Sequence, residues 1–261
     1  MHLPGSSVVV TGATSGIGRE TAILLAARDA RVWAVARSGD LLDELADAHD
    51  GITALVADVT TDDDRAALVD TVGPIDVLVN NAGIGWTGLV EDMPGEQMHQ
   101  VLAVNLVGLV DLTRRVLPGM LARGRGHVVN VASVASWVAS PPLTVYCATK
   151  FAVQGFTDGL SREVAGRGVA VTAVNPGPVA TKFWARAQGQ DRPSTDVGDN
   201  PRYGVPATLA ARAVLRSIRM GGLPGYQTIA VPRVLGFARL GALPGLRLLV
   251  DAGAMAARRW Q

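Results

Sequence analysis

Residues 7–18 have the sequence SVVVTGATSGIG. The β-branched start of this stretch predicts a buried strand, and the helical spacing of apolar residues over 19–28 predicts a helix. A strand, a glycine-rich turn and a helix in this order are typical of a dinucleotide-binding unit, in which the helix amino terminus attracts phosphates. We expect Gly12 to permit the sharp turn, Gly16 to let the backbone approach a pyrophosphate, and Gly18 to let the helix pack closely on the strand. Because the spacing is G-x-x-x-G-x-G rather than the commoner G-x-G-x-x-G, a glycine turn without a ligand is the alternative.

Strand and helix signals alternate along the rest of the chain. This rhythm predicts an α/β fold: a Rossmann-type, doubly wound parallel sheet of about seven strands with helices on both faces. The predicted strands are 7–11, 31–36, 52–57, 75–79, 126–133, 169–174 and 225–231. The predicted helices after the first are 41–48, 62–72, 95–117 and 146–166. We expect a single domain over 1–261, with a substrate-lid segment at 183–206 and a C-terminal helical tail at 232–261.

Composition narrows the class of protein. Of the 261 residues, 48% are hydrophobic and 18% are charged, which supports a sizeable core and a large subunit interface. The net charge of +1 gives no reason to expect a nucleic-acid partner. The single cysteine excludes an internal disulfide and a cysteine-rich metal site, and no metal is predicted. Residues 1–7 lack a secretory pattern and no apolar run is long enough to span a bilayer, so we expect a cytoplasmic protein.

The end of the second predicted strand bears on the choice of cofactor. An NAD site places a carboxylate there to bind the ribose 2′-hydroxyl, but this chain has Ala36, Arg37 and Ser38. A guanidinium pairs well with a 2′-phosphate, so Arg37 predicts NADP(H) over NAD(H). The alternative is that Arg37 is a solvated loop residue. After the third predicted strand, Asp58 beside Val59 is a candidate acceptor for the adenine amino group.

A second set of polar residues predicts proton transfer. Tyr146 and Lys150 are four residues apart, which places both on one face of a predicted helix. A phenol has an unperturbed pKa of about 10, and we expect the Lys150 ammonium to lower it by favouring the phenolate. Ser133, at the end of a predicted strand, is placed to hold the oxygen that the phenol protonates, which suits a carbonyl or alcohol substrate. Asn105 lies in an apolar stretch, where its amide needs a partner; the alternative is a helix-bending or interface asparagine.

Taken together, these motifs resemble those of the short-chain dehydrogenase/reductase family, in its conventional single-domain branch. The resemblance covers residues 5–182. It rests on Thr11-Gly12-x-x-x-Gly16-x-Gly18, Asp58-Val59, Asn80-Asn81-Ala82-Gly83, Asn105, Ser133, Tyr146-x-x-x-Lys150 and Asn175-Pro176-Gly177. The separation of 13 residues between the serine and the tyrosine matches the family's usual spacing.

The resemblance implies catalytic roles for four residues. Tyr146 is the general acid in reduction and the general base in oxidation. Lys150 lowers the pKa of the tyrosine and binds the nicotinamide ribose. Ser133 orients the substrate oxygen, and Asn105 holds a water that extends the proton relay to Lys150.

The resemblance also implies a set of cofactor contacts. They are Gly12, Thr14, Ser15, Gly16, Ile17, Gly18, Arg37, Asp58, Val59, Asn81, Ala82, Gly83, Tyr146, Lys150, Pro176, Gly177, Val179 and Thr181. Asn81 is expected near the adenosine ribose or the strand end, and the backbone around 176–181 is expected to hold the nicotinamide carboxamide. Family members that prefer NADP often carry arginine at the position of Arg37. Some also carry a basic residue where this chain has Ser15, and that departure weakens the prediction of NADP.

The segment over 179–206 is expected to determine the substrate, as in the family. The candidate lining residues of an apolar pocket are Trp86, Val134, Trp137, Val138, Phe183 and Trp184, and the alternative is that several belong to the core or an interface. We expect an apolar small molecule such as a steroid, retinoid, terpenoid or fatty ketone or alcohol. The tail at 232–261 lacks the glycine-rich ending common in the family. We expect it to pack on a subunit or cover the pocket, with peripheral membrane contact as the alternative.

Two function classes follow. The first is an NADP(H)-dependent oxidoreductase that interconverts a carbonyl and an alcohol. The second is a catalytically idle NADP-sensing or scaffold protein on the same fold, because fold alone does not establish function. The family resemblance further implies a homodimer or homotetramer assembled through the long helices that carry Asn105 and Tyr146.

Overall fold

Nine strands occur in this computed structural model, which describes residues 2–189, 204–221 and 228–232. They are β1 (Ser7–Thr11), β2 (Arg31–Ala36), β3 (Ile52–Val56), β4 (Val77–Asn80), β5 (Trp86–Thr87), β6 (Gly126–Val131), β7 (Val169–Pro176), β8 (Gln188–Gly189) and β9 (Thr228–Val231). Seven of them form one parallel sheet in the order β3-β2-β1-β4-β6-β7-β9, while β5 and β8 pair separately. The β-branched runs suit the sheet interior because strands covered on both faces need continuous apolar sequence. The valines of β1 are accordingly fully buried.

The described residues contain seven α-helices, and all but the fourth pack on a face of the sheet. They are α1 (Gly16–Ala26), α2 (Gly39–Asp47), α3 (Asp62–Val72), α4 (Gly95–Leu102), α5 (Gly108–Ala122), α6 (Thr144–Glu163) and α7 (Ala207–Met220). One hydrophobic cluster joins the sheet to α1, α2 and α7, and a second joins it to α3, α5 and α6. This arrangement confirms the predicted doubly wound α/β fold.

The strand order positions the functional site. From β1 the chain winds outward through β2 and β3, then returns to β4 beside β1 and winds the other way. The carboxyl ends of β1 and β4 therefore border the crevice where parallel sheets of this type bind ligands. The register of β4 and β6 sets Asn80 opposite Asn130, so the amide of Asn80 reaches Asn130 Oδ1 at 3.0 Å and Thr113 Oγ1 at 3.0 Å.

The helix predicted over 95–117 is wrong in detail. The chain there forms α4, then a π-helical turn over Ala103–Val107, then α5. Asn105 lies in the π turn, and its amide bonds to a neighbouring loop rather than to its own helix. A π turn contains about one residue more than an α-helical turn, and this wider turn accommodates Asn105. π turns of this kind recur at functional sites.

Local sequence patterns do not predict every element of the fold. They predict no element at α7 or at the β5–β8 pair. Of the predicted last strand, residues 225–227 lie outside the described residues, as do 190–203 of the lid segment and 233–261 of the tail. Within the part of the chain that is described, no helix is both long and apolar enough to cross a membrane.

Candidate active site

The glycine-rich turn between β1 and α1 is packed too tightly for side chains. Gly12 has a φ of +66°, and a Cβ there would lie 2.9 Å from the Ala82 Cα. A Cβ on Gly18 would clash with the Gly12 carbonyl oxygen. Asn81 fastens this turn from the end of β4, because its Nδ2 donates to the Thr11 carbonyl at 2.9 Å. The side chain of Asn81 therefore braces the turn.

The amino terminus of α1 is open to a ligand. Ser15 caps the helix with extended backbone, and its side chain makes no capping hydrogen bond. A Cβ on Gly16 would lie 3.1 Å from Thr181 Cγ2, so the segment after β7 comes close to the glycine turn. A tight turn, a free helix terminus and an adjacent loop fit the pyrophosphate of a dinucleotide. Thr14 is half-buried in this turn, and Ile17 packs partly against the core.

Arg37 and Asp58 meet at the carboxyl ends of β2 and β3. Arg37 Nη1 lies 3.9 Å from Asp58 Oδ2, and the Arg37 side chain is 63% exposed. Asp58 Oδ1 accepts hydrogen bonds from the Thr60 amide at 2.9 Å and hydroxyl at 2.8 Å. The Val59 carbonyl accepts from Arg65 Nη1 at 2.8 Å. The Arg37 guanidinium thus remains accessible to an anion.

Tyr146, Ser133 and Lys150 converge at the ends of β6 and α6. The Ser133 side chain acts on the Tyr146 hydroxyl and lowers the pKa of the phenol. Lys150 Nζ lies 5.7 Å from the centre of the Tyr146 ring and donates to the Val131 carbonyl at 3.1 Å. Both Tyr146 and Lys150 are buried. Ser133 Oγ also accepts from the Ala135 amide at 3.1 Å, which fixes the serine at the start of a short 3₁₀ turn.

Burial governs the ionisation of this group. It raises the pKa of Tyr146 above its ordinary value, and the Ser133 side chain opposes that only in part. It also lowers the pKa of Lys150 to about 8. In this structure burial outweighs the lowering of the phenol pKa that we expect from the Lys150 ammonium. The physical reason is that loss of water penalises the charged form of both side chains.

Asn105 is held between two elements of the site. Its Oδ1 accepts from the Ile84 amide at 2.8 Å, and its Nδ2 donates to the Ile84 carbonyl at 2.9 Å and to Thr149 Oγ1 at 3.2 Å. These bonds confirm that the buried amide has partners. A Cβ on Gly83 would lie 3.4 Å from Asn105 Oδ1 and 3.8 Å from Lys150 Nζ, so all three face one small space.

Aromatic rings from the lid segment cover the tyrosine. The Phe183 ring centre lies 5.9 Å from that of Tyr146, and the Trp184 ring centre lies 5.2 Å from it. The other predicted pocket residues lie elsewhere around the site. Trp86 is buried in β5 and donates to Gln97 Oε1 at 2.9 Å, Trp137 is buried, and Val134 and Val138 are half-buried.

The loop after β7 follows the edge of the crevice. Pro176 pairs with Val231 of β9, and the Gly177 amide donates to the Val231 carbonyl at 2.8 Å. Val179 forms a bridge with Val205, and Thr181 Oγ1 accepts from the Phe183 amide at 3.3 Å. Ala82 donates its amide to Thr11 Oγ1 at 3.0 Å. These contacts bring the end of β7 and the glycine turn to the same edge of the sheet.

Sequence reasoning missed three features of the site. Thr149 bridges Asn105 to the Tyr146 carbonyl, which its Oγ1 reaches at 2.7 Å. Arg186 Nη1 lies 3.3 Å from Ser15 Oγ, across the crevice. A buried polar chain runs from Ser136 through Asn175 to Gln154. Polar residues within otherwise apolar strands and helices signal the first and third features, whereas no local pattern signals the second.

A Rossmann-type sheet with this glycine turn and this group of tyrosine, lysine, serine and asparagine defines a nucleotide-binding protein with acid–base groups beside the cofactor crevice. Comparison with known proteins specifies the class further. The family model described as short chain dehydrogenase matches residues 6–192. The chain belongs to the short-chain dehydrogenase/reductase family, a family of oxidoreductases, which confirms the resemblance noted from the motifs.

Relatives and solved structures agree with this assignment. An uncharacterized oxidoreductase of Staphylococcus saprophyticus is 35% identical over 215 residues, 79% of this chain and 87% of the relative. A 3-oxoacyl-[acyl-carrier-protein] reductase of Thermotoga maritima is 37% identical over 220 residues, 80% of this chain and 89% of the relative. A short-chain dehydrogenase from Sphingobium yanoikuyae in complex with NADPH has a TM-score of 0.79 and 28% identity, covering 95% of each chain. A family member from Burkholderia phymatum in complex with NAD has a TM-score of 0.82 and 25% identity, covering 92% of this chain and 94% of the other.

Proposed function

We propose that this protein is an NADP(H)-dependent oxidoreductase that interconverts a carbonyl and a primary or secondary alcohol on an apolar substrate. The observation that carries the proposal is the convergence of Ser133, Tyr146 and Lys150 at the edge of the sheet that carries the glycine turn, with Lys150 Nζ 5.7 Å from the centre of the phenol ring.

Each residue of the site has a separate role in the proposed reaction. Ser133 holds the substrate oxygen, and Tyr146 gives it a proton in reduction or takes one in oxidation. Lys150 binds the nicotinamide ribose and, in its ammonium form, favours the phenolate. Asn105 positions the loop at Ile84 and closes the space beside Lys150. The bound nicotinamide supplies or accepts the hydride, while the protein contributes orientation and electrostatics.

The preference for NADP(H) rests on Arg37. No carboxylate occupies the end of β2, and the exposed Arg37 guanidinium forms a long ion pair of 3.9 Å with Asp58. Because a long ion pair at the surface is weak, the guanidinium can turn to a charge-assisted pair with a 2′-phosphate. The family includes solved members with NADPH and with NAD, so the preference needs its own test.

The aromatic cover over Tyr146 supports an apolar substrate. Phe183 and Trp184 present rings to the catalytic phenol, and apolar pockets favour ligands with hydrocarbon surface. Because one relative bears the name of a 3-oxoacyl-[acyl-carrier-protein] reductase, 3-oxoacyl thioesters belong in the substrate panel beside steroids, retinoids, terpenoids and fatty ketones.

We also propose assembly into a homodimer or homotetramer through α5 and α6. Val107 at the end of the π turn is 52% exposed, and Phe151 on α6 is 43% exposed. Large apolar side chains on two neighbouring helices favour an interface between subunits. A cytoplasmic location and a role for the tail at 232–261 stay predictions.

The decisive experiment follows the oxidation of NADPH and NADH, and the reduction of NADP⁺ and NAD⁺, against ketones, aldehydes and alcohols graded by size. Tyr146→Phe serves as the blank, and we expect it to fold and bind cofactor but to lose about 10²–10⁴ in turnover. Arg37→Gln should weaken NADP(H) and leave NAD(H) unchanged. Near-normal turnover by Tyr146→Phe would overturn the assignment. Tight cofactor binding without turnover on any substrate would favour the alternative, an idle NADP-sensing or scaffold protein.

A further inference from the structure

We propose that Arg186 binds a phosphate group of the dinucleotide and so couples cofactor binding to the cover over Tyr146. The inference rests on the proposed cofactor site. Arg186 lies in the 3₁₀ turn Trp184–Arg186, and its Nη1 reaches Ser15 Oγ at 3.3 Å. The contact joins the glycine turn to the segment after β7, two parts of the chain that both border the crevice.

The Arg186 guanidinium lies beside the amino terminus of α1, where the electrostatic potential is already positive. Ser15 is the residue before the first turn of α1, where unpaired amides and the helix dipole attract anions. That first turn holds no acidic side chain. Among the described residues, no carboxylate lies within 4.0 Å of the Arg186 guanidinium, which is exposed. Within the described part of the chain this guanidinium has no counterion, and an anion between it and the helix amino terminus would stabilise both.

The chemistry of the site identifies the anion. The glycine turn leads into α1 at the cofactor crevice, and a dinucleotide places phosphate at such a helix terminus. Ser15 retains a hydroxyl that no helix amide uses. The hydroxyl and the guanidinium together offer donors from two elements to one phosphate, and guanidinium forms charge-assisted hydrogen bonds to phosphate.

The same short turn carries the aromatic cover. Trp184, two residues before Arg186, lies edge-on to Tyr146 with ring centres 5.2 Å apart. Beyond the turn, the Gln188 amide donates to the Gly85 carbonyl at 3.1 Å, and β8 pairs with β5. Phosphate binding by Arg186 therefore holds the turn that sets Trp184 over the catalytic phenol.

The test measures equilibrium binding rather than activity. Isothermal titration of the full-length protein with NADPH, NADP⁺, NADH and NAD⁺ compares the wild type with Arg186→Gln, Arg186→Lys and Arg167→Gln. Arg167 is an exposed arginine that precedes β7 at the opposite edge of the sheet, so its variant matches the change in net charge. We expect Arg186→Gln to raise Kd about 5- to 20-fold, as for one charge-assisted hydrogen bond at an exposed site. The Kd of Arg186→Lys should lie between those of the wild type and Arg186→Gln. The Kd of Arg167→Gln should stay within about twofold of the wild-type value.

The outcomes separate this inference from the proposed function. An equal loss for all four cofactors assigns Arg186 to the pyrophosphate, and a loss confined to NADPH and NADP⁺ assigns it to the 2′-phosphate; both support the proposal. A Kd for Arg186→Gln equal to that of Arg167→Gln overturns it. If the wild type binds none of the four, the proposed function itself fails. Thermal unfolding of each variant verifies folding, and the lysine variant provides the comparison if the glutamine variant does not fold.

Discussion

The indole ring of Trp184 lies edge-on to the phenol ring of Tyr146, with 5.2 Å between the ring centres. Phe183 packs at a right angle to Trp184 and completes the cover. This cover helps to bury the phenol and so accounts for the raised pKa of Tyr146. A substrate that reaches the phenol oxygen has to share this space with the indole, so under the proposed function we expect the turn that carries Trp184 to open for the substrate.

Removal of the indole should make the phenol more acidic. We expect Trp184→Ala to lower the pKa of Tyr146 by about one unit, because water then solvates the phenolate. Titration of tyrosinate absorbance measures this, with Tyr146→Phe on each background as the reference for the other tyrosines. Trp184→Phe keeps a ring in place and should behave like the wild type. An unchanged titration in Trp184→Ala would show that Trp184 does not control the solvation of Tyr146.

We expect the buried Lys150 ammonium to destabilise the cofactor-free protein, although the active site needs it. Burial lowers its pKa from 10.5 to about 8, so at neutral pH the folded protein carries an ammonium that is disfavoured relative to the unfolded chain. As pH rises from 8 towards 10.5, the unfolded chain still binds this proton and the folded protein does not, so stability increases through this window. Lys150→Met, which preserves the length of the side chain, should therefore be more stable than the wild type at pH 7.5.

Urea denaturation of the two proteins at pH 7.5 and 9.5 tests this. The stability advantage of Lys150→Met should shrink by about 2 kcal/mol between these values, and turnover should be lost at both. If the stability advantage of Lys150→Met does not depend on pH, it arises from packing and not from the charge of Lys150.

His127 should make the protein sensitive to acid. It is buried at the start of β6, where its Nε2 lies 2.9 Å from Thr172 Oγ1 and the ring also hydrogen-bonds the backbone of Ile218 in α7. Burial lowers its pKa to about 4 from 6.5. Between these values the unfolded chain takes up a proton that the folded protein does not, so stability is lost as pH falls from 6.5 to 4.

The control for this prediction is His127→Gln, which is polar but does not titrate. Relative to it, the wild type should lose about 2 kcal/mol of unfolding free energy between pH 7.5 and 5. Urea denaturation measures the unfolding free energy of both proteins at each pH. If this free energy changes with pH equally in the two proteins, His127 is not the acid-sensitive group.

Sequence predicted the fold more fully than the site because its signals are local. The valine run of β1 and the glycines after it depend on neighbours in the chain, so strand, turn and helix followed from spacing. The π turn at Asn105 did not, because it forms to let one amide reach the backbone of Ile84, 21 residues away. The pKa of Tyr146 depends on rings from another segment, and the spacing to Lys150 could not show them. Arg186 meets Ser15 only after the whole sheet has formed, and no pattern near either residue indicates the contact.

A buried polar chain behind Ser133 should depend on one carboxylate. Gln154 Nε2 donates to Asp158 Oδ1 at 2.8 Å, which leaves its Oε1 to accept from Asn175 Nδ2 at 3.0 Å. The Asn175 oxygen then accepts from the Ser136 hydroxyl at 2.6 Å, in the turn that begins at Ser133. Because a carboxylate only accepts, Asp158 fixes the orientation of the Gln154 amide and, through it, that of the Asn175 amide. The Asn175 oxygen shares the single Ser136 hydroxyl proton with the Ser133 carbonyl.

Gln154→Glu should disrupt this chain, because it replaces the amide that donates to Asp158 with a second carboxylate. Repulsion and burial should raise the pKa of the introduced acid, so the folded form favours its protonated state. Stability relative to the wild type is then kept below a pH of about 4.3 and lost as pH rises above it, by roughly 1–3 kcal/mol at pH 7. Asp158→Asn in the same chain removes the repulsion and should restore most of the loss. Urea denaturation of the wild type, both single variants and the double variant at pH 7 and pH 4.5 measures the coupling. A loss that is equal at both pH values, or that the double variant does not recover, would mean that Asp158 does not orient the chain and that the defect is one of packing at Gln154.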